Sequence, residues 1–330
     1  MDRQGSVATL RRAVAELARA HLPEEGRWCV ALSGGADSLA LTAVAAGLRP
    51  TTALIVDHGL QLGSADVAAI AREHALRLGC VDAQVLCVDV DAASGLGPEA
   101  AAREARYAVL EQVAEHLEAR LVLLGHTADD QAETVLLGLG RGSGARSIAG
   151  MRAADRGYLR PLLGLRRADT EAACTALGVP VWQDPHNSDP RFRRVRLRTE
   201  VLPLLEDVLA GGVAEALART ASQLQEDLDA LGLLADRILA EAHLSDGLHV
   251  SALHGQPAAI TSRVLKSWAE DGGAGPLTAE HVRQLTRLIN DWRGQDGIDL
   301  PGGYRARRAS GRLVMTLPDA GRNARGHRRS

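Results

Sequence analysis

Two short stretches of this chain hold side chains dense enough for chemistry. The first is Ser33-Gly34-Gly35-Ala36-Asp37-Ser38, set between the apolar run Cys29 to Leu32 and a helix-forming stretch. Gly34 and Gly35 let the backbone turn tightly and leave no Cβ between chain and ligand, while the amides opening the next helix carry partial positive charge. Such a loop binds an anion, phosphate above all. The G-x-x-x-x-G-K-S/T loop is excluded, because it needs a lysine beside its second glycine and the only lysine here is Lys266. The second stretch is Gly125-His126-Thr127-Ala128-Asp129-Asp130-Gln131-Ala132-Glu133-Thr134, after the apolar Leu121 to Leu124. Asp130 and Glu133 stand at i and i+3 and share a helix face. Capping and dipole compensation account for one acid in a first turn; three acids with a His and a Gln exceed that need.

The elements that position these stretches follow from apolar periodicity. Cys29 to Leu32, Ala53 to Val56, Val85 to Val90 and Leu121 to Leu124 read as buried strands alternating with helix-length amphipathic stretches, among them residues 1–20 and Ala100 to Leu117, the latter opened by Pro98. The expected fold class is α/β, a doubly wound parallel sheet with helices on both faces. Ligands in such sheets lie beyond the carboxyl ends of the strands, and Ser33, Asp57 with His58, and Gly125 with His126 each follow such an end. From Val201 the pattern changes to helices at Ala214 to Glu241, Ala258 to Glu270 and Thr278 to Trp292. Strand signals return at Gly297 to Leu300, Tyr304 to Arg308 and Leu313 to Leu317. This predicts an N-terminal domain over residues 1–200 and, over 201–330, a helical linker with a small α+β C-terminal domain ending in a disordered basic tail.

A hydrophobic content of 46% over 330 residues excludes general disorder, and no run reaches the length of a membrane span. The net charge of −3 hides a local excess of base: Arg191, Arg193, Arg194, Arg196 and Arg198 form a run, and more arginines follow in the tail. Cys29, Cys80, Cys87 and Cys174 make no Cys-x-x-Cys pair and read as core residues of a reducing compartment. Acids near the start argue against a leader, so a cytoplasmic protein is expected.

Taken together, Ser-Gly-Gly-Ala-Asp-Ser after a strand resembles the loop of the N-type ATP pyrophosphatases (PP-loop family). His126-Thr127-Ala128-Asp129-Asp130-Gln131-Ala132-Glu133-Thr134 matches a motif of the tRNA(Ile)-lysidine synthases within that family. Val56 to Leu60, Ala101 to Tyr107, Arg160-Pro161-Leu162-Leu163 and Trp182 to Asp189 resemble further segments of that family in order, as does Ile298 to Gly303 near the end. Val195 stands where many members carry Asn, and the expected organisation is without the extra terminal domain of longer members.

The resemblance implies a carbon–nitrogen ligase with ATP as substrate and Mg²⁺ as cofactor. ATP adenylates C2 of the wobble cytidine of tRNA(Ile) with anticodon CAU, and the side-chain amine of free L-lysine then displaces AMP. Ser33, Gly34, Gly35, Ala36, Asp37, Ser38, Asp57, His58 and His126 would face the nucleotide, with Asp37 beside the metal. Arg106 would meet the lysine carboxylate and Asp130 and Glu133 its amine. Among Asp37, Asp129, Asp130 and Glu133 as catalytic acids, which of the latter three binds and which relays a proton stays open. The run Arg191 to Arg198 would meet tRNA phosphates, with Phe192, Trp182 and Tyr107 as stacking candidates. A homodimer is admitted. The alternatives are a tRNA thiolation enzyme with the same loop, which calls for a reactive cysteine pair, an amidotransferase-linked synthetase, which calls for a glutaminase, and a non-catalytic adenine-nucleotide-binding module, which needs no acidic wall.

Overall fold

A computed structural model describes residues 3–57, 59, 63–88, 98–119, 121–142, 144–182 and 189–317. His58, most of the Trp182 to Asp189 segment and the basic tail lie outside them. The chain divides into two compact units, Met1–Gln225 and Glu226–Ser330.

In the first unit α1 (Arg3–His21) precedes β1 (Trp28–Ala31), α2 (Ala36–Ala46), β2 (Thr51–Asp57), α3 (Ser64–Arg77), β3 (Asp82–Cys87), α4 (Pro98–His116) and β4 (Val122–Leu123). Then come α5 (Ala128–Arg141), α6 (Ala145–Ile148), β5 (Ala154–Asp155), β6 (Tyr158–Leu159), α7 (Arg167–Leu177), α8 (Arg193–Arg196), a π-helical turn (Leu197–Val201) and α9 (Leu202–Val208). The helix α10 (Val213–Ala242) begins in this unit and continues into the second. The sheet order is β3-β2-β1-β4-β6-β5, parallel throughout except for β5, which runs antiparallel to β6. The order reverses between β1 and β4, so their carboxyl ends open a crevice at the switch point.

Strands buried on both faces need no alternation, which is why β1 and β2 read as unbroken apolar runs. One face of the sheet packs on α1, α2, α3 and α7 around Leu10, Val14, Val30, Leu41 and Ala173; the other packs on α4 through Cys29, Leu54, Leu110 and Leu124. Leu10, Val14 and Ala18, spaced by four, turn one stripe of α1 inward. β3 starts three residues before the expected Val85, because its pairing with β2 runs from Asp82 opposite Thr52. β5 and β6 went unforeseen, since two-residue strands carry no periodicity.

Gly138 on α5 lets α6 lie against it: a Cβ there would land on the Ser147 carbonyl oxygen. Gly138→Ala is expected to cost about 1–3 kcal/mol in a denaturant titration, the range for overpacking, whereas Gly140→Ala, with open space at its Cβ, should not.

The second unit adds β7 (His243–Leu244), β8 (Gly247–His249), α11 (Val250–Leu253), α12 (Ala258–Asp271), α13 (Ala279–Asn290), β9 (Ile298–Asp299), β10 (Arg305–Ala309) and β11 (Arg312–Thr316). The strands form a second, antiparallel sheet in the order β7-β8-β11-β10-β9. Its core joins Leu248, Leu253, Val264, Leu265, Trp268, Leu285 and Leu313.

Candidate active site

The loop after β1 turns at Gly34, whose φ of 85° lies in the left-handed region that favours glycine. Ser38 ties the loop together: its Oγ donates to the Gly35 carbonyl at 3.0 Å and accepts from the Ser33 amide at 3.2 Å. The first intrahelical bond of α2 runs from the Leu39 amide to Gly35 O at 3.0 Å, so the amides before it face the crevice without a helical acceptor. Trp182 covers the far side of the loop, its amide donating to Gly34 O at 3.3 Å.

The loop after β4 meets the first at Gly125. A Cβ there would lie 2.9 Å from the Asp37 carbonyl group and the Ser38 nitrogen. Only glycine allows that approach. Two residues on, Thr127 opens α5, and both its amide and its hydroxyl donate to Asp130 Oδ2, at 2.9 and 3.1 Å. Asp130 thus caps its own helix with one oxygen and offers the other to the crevice. Gln131 pairs both ways with the Met151 backbone, at 2.7 and 2.8 Å, which fixes α5 against the turn at Gly150.

The acids do not stand alone. Arg167 donates from Nε to Asp37 Oδ2 at 3.2 Å and from Nη2 to Asp130 Oδ1 at 3.0 Å. The Thr170 hydroxyl donates to Asp37 Oδ1, and one turn later the Cys174 thiol donates to Ala36 O at 3.4 Å. Arg167, Thr170 and Cys174 are spaced i, i+3, i+7, one face of α7 laid on the start of α2. Asp129 accepts from Arg166 Nη2 at 3.0 Å and from the Arg167 amide at 2.8 Å; Arg166 Nη1 reaches Glu215 at 2.8 Å. Glu133 is fully buried and accepts from Arg198 Nε at 2.7 Å. Its other oxygen, Oε2, has no hydrogen-bond donor, with Arg194 Nη1 at 3.6 Å.

These surroundings separate the acids. Burial pushes the Asp37 carboxyl above the usual carboxylate range, against the pull of Arg167 and Thr170. Burial likewise raises Glu133 despite Arg198, and the Asp130 charge adds to the rise. Asp129 is also buried in part, yet the hydrogen bonds from Arg166 and the Arg167 amide outweigh that and hold it below the ordinary value.

Other expected residues fall around this centre. Asp57 ends β2 and accepts from the Gly59 amide at 3.0 Å. His126 follows Gly125, its amide on Leu124 O at 3.0 Å. Arg106 lies over the Tyr107 ring, 5.6 Å from its centroid, with a buried Nε that has no acceptor; Tyr107 packs edge-on against Tyr158 at 4.9 Å. The basic run divides. Arg194 and Arg198 turn inward to Glu133, while Arg191, Arg193 and Arg196 are exposed, Arg191 on Asp189 and Arg196 on Glu200. Val195 faces the interior, 7% exposed. Arg166, Arg167 and Thr170 carry no assignment from the sequence; their one signal is the proximity of the Arg160-Pro161-Leu162-Leu163 motif.

Residues 7–205 match the PP-loop domain model, and residues 248–314 match the TilS substrate binding domain. A tRNA(Ile)-lysidine synthase of Mycobacterium bovis is 60% identical over 312 residues, covering 93% of this chain and 95% of that one. The chain belongs to the tRNA(Ile)-lysidine synthase family. Its likeness to the Rhodococcus erythropolis tRNA(Ile)-lysidine synthase is 53% over 320 residues, 95% of this chain and 97% of the other. Among solved structures, the U34-tRNA thiolase NcsA from Methanococcus maripaludis superposes with a TM-score of 0.57 at 18% identity, over 68% of this chain and 80% of that one. At that identity the likeness is one of fold. Membership makes the chain a carbon–nitrogen ligase with ATP as substrate.

Mg²⁺ fits the crevice beside Asp37. Each Asp37 oxygen accepts one hydrogen bond and keeps a further lone pair. Among the described residues no group of three or more His, Cys, Asp or Glu could hold a metal by itself. One carboxylate with nucleotide phosphates and water is the arrangement Mg²⁺ favours.

Proposed function

We propose that this chain converts the wobble cytidine of a CAU-anticodon tRNA(Ile) to lysidine at the crevice between β1 and β4. The observation that carries the reading is the contact at Gly125, which brings an anion-binding helix start against a wall of acids, within a chain of this family. Cytidine O2 attacks the α-phosphorus of ATP and pyrophosphate leaves toward the amides of Gly35 to Ser38. Asp37 would hold a Mg²⁺ there, whose charge offsets that of the separating phosphates. The side-chain amine of lysine then attacks C2, the C2–O bond breaks, and AMP departs.

The acids divide the second step. Asp129 has both oxygens engaged by Arg166 and the Arg167 amide, and serves as a strut. Asp130 directs Oδ1 into the crevice and holds the amine. Glu133 presents Oε2, a buried oxygen without a donor, as the acceptor of the amine proton. Arg106 takes the lysine carboxylate. A thiolation reaction, which calls for a reactive cysteine pair, is disfavoured: Cys29, Cys80 and Cys174 are buried and burial pushes each thiol to about 11, while Cys87, against the expectation that it lies in the core, is a single exposed cysteine at the end of β3.

AMP and pyrophosphate release, with ATP, lysine and CAU-anticodon tRNA omitted in turn, tests the reading. Dependence of AMP release on all three is expected; AMP release without tRNA would refute it. For tRNA contact, Arg193→Glu with Arg196→Glu should weaken tRNA binding roughly tenfold at moderate salt and lower the slope of log K against log salt by about 2. An unchanged slope would reduce the exposed half of the run to plain surface.

A further inference from the structure

Arg167 touches the two acids to which the proposed function gives different cations. Its Nε is 3.2 Å from Asp37 Oδ2 and its Nη2 3.0 Å from Asp130 Oδ1, and its side chain is only 23% exposed. Asp37 and Asp130 face the same guanidinium and each raises the other's electrostatic cost, and two carboxylates completed by water are an oxygen set that Mg²⁺ and Mn²⁺ accept. The remaining charged groups here leave that pair otherwise open. Arg198 Nη2 stands 3.7 Å from Asp130 Oδ1 but is committed to Glu133 at 2.7 Å, and Arg166 is committed to Asp129 and Glu215.

We propose that Arg167 is a resident cation that keeps the Asp37–Asp130 pair closed to free divalent metal, so that metal enters the crevice only with the nucleotide. The inference rests on the functional reading in giving Asp37 to the metal and Asp130 to the amine. A guanidinium suits the task because it stays protonated at any working pH and does not leave by titration. A metal bridging both acids would capture Asp130, the carboxylate needed for the amino acid. With nucleotide present the phosphates supply most of the ligands, Asp37 alone suffices, and Arg167 stays on Asp130. Thr170, fully buried and bonded to Asp37, keeps that carboxylate in place as the metal arrives. Arg167 is a positioning residue in this account.

Mn²⁺ binding to the full chain, followed by loss of the free-ion paramagnetic signal and by calorimetry, tests it without tRNA or lysine. Wild type is expected to show no site tighter than about 1 mM without nucleotide, and one site with a non-hydrolysable ATP analogue. Arg167→Gln should gain a nucleotide-independent Mn²⁺ site at least about tenfold tighter than wild type, and adding Asp37→Asn should abolish it. Arg167→Lys, which keeps the charge, should exclude the ion again. Tight Mn²⁺ binding by nucleotide-free wild type overturns the proposal, and so does Arg167→Gln that binds the ATP analogue but gains no site. Should Arg167→Gln fold poorly, Arg167→Met carries the same expectation of a gained site, and tight Mn²⁺ binding by nucleotide-free wild type still overturns the proposal. Lysine-dependent AMP release is measured separately, so its absence would sink the functional reading and leave the metal result standing.

Discussion

Replacing Gly125 by Ala is expected to slow AMP formation from ATP, lysine and tRNA roughly a hundredfold in single-turnover measurements, while the fold persists. The added Cβ would sit 2.9 Å from the carbonyl group of Asp37 and the nitrogen of Ser38, where ordinary contact begins at 3.4 Å. These are backbone atoms at the first turn of α2, and no rotamer relieves the clash. Either α2 or the β4–α5 turn must move by several tenths of an ångström. Such a shift separates the amides proposed to receive pyrophosphate from the acids proposed to receive the amine. Misplacement by an ångström costs on the order of a hundredfold in well-oriented reactions, and here both partners of the reaction shift relative to each other. Gly164→Ala is the control, because Gly164 is exposed and its Cβ would meet nothing within 4 Å. Equal rates for the two variants would mean that the loops are not held in register by Gly125.

The legibility of this site in the sequence follows how local each signal is. Gly34 and Gly35 after an apolar run, and Asp129 to Glu133 after another, are adjacent in the chain to the strands that aim them, so pattern alone placed both at one edge of a parallel sheet. The role of Gly125 was hidden, because its neighbour in space is a backbone segment almost ninety residues earlier, and a glycine before a helix reads as turn chemistry. Arg167 and Thr170 were hidden for the same reason. Their partners lie on α2 and α5, and nothing in Arg166-Arg167-Ala168-Asp169-Thr170 distinguishes a brace for Asp37 from a charged helix start. The basic run shows a subtler loss. Its composition pointed to phosphate contact for all five arginines, whereas the π-helical turn at Leu197–Val201 follows a helix that turns Arg194 inward and itself carries Arg198 to Glu133. A π turn sets side chains a residue out of α register, and it leaves no trace in apolar spacing.

The same inward turn sets up the other large effect. Glu133→Gln should lower the lysine-transfer step by about a hundredfold or more while the affinity for ATP changes little, as judged by AMP release on adding lysine to preformed adenylated tRNA. The substitution keeps the volume and one hydrogen bond to Arg198 but removes the charge proposed to accept a proton from the amine. Lysine's ammonium has a pKa of about 10.4, so the amine must shed a proton near neutral pH, and a base whose own pKa lies nearer neutrality does this better than an ordinary carboxylate. Burial drives Glu133 in that direction. The sign follows: a raised carboxyl is protonated first as pH falls, so the acid limb of the transfer rate should lie above the ordinary carboxylate range. It should disappear in Glu133→Gln, leaving a slow and flatter profile. Asp129, held below the ordinary value, stays ionised through that window, and Asp129→Asn should weaken the brace to Arg166 without removing the limb. If Glu133→Gln kept the wild-type acid limb, the proton would be passing to another group, and Asp130 would be the next to test.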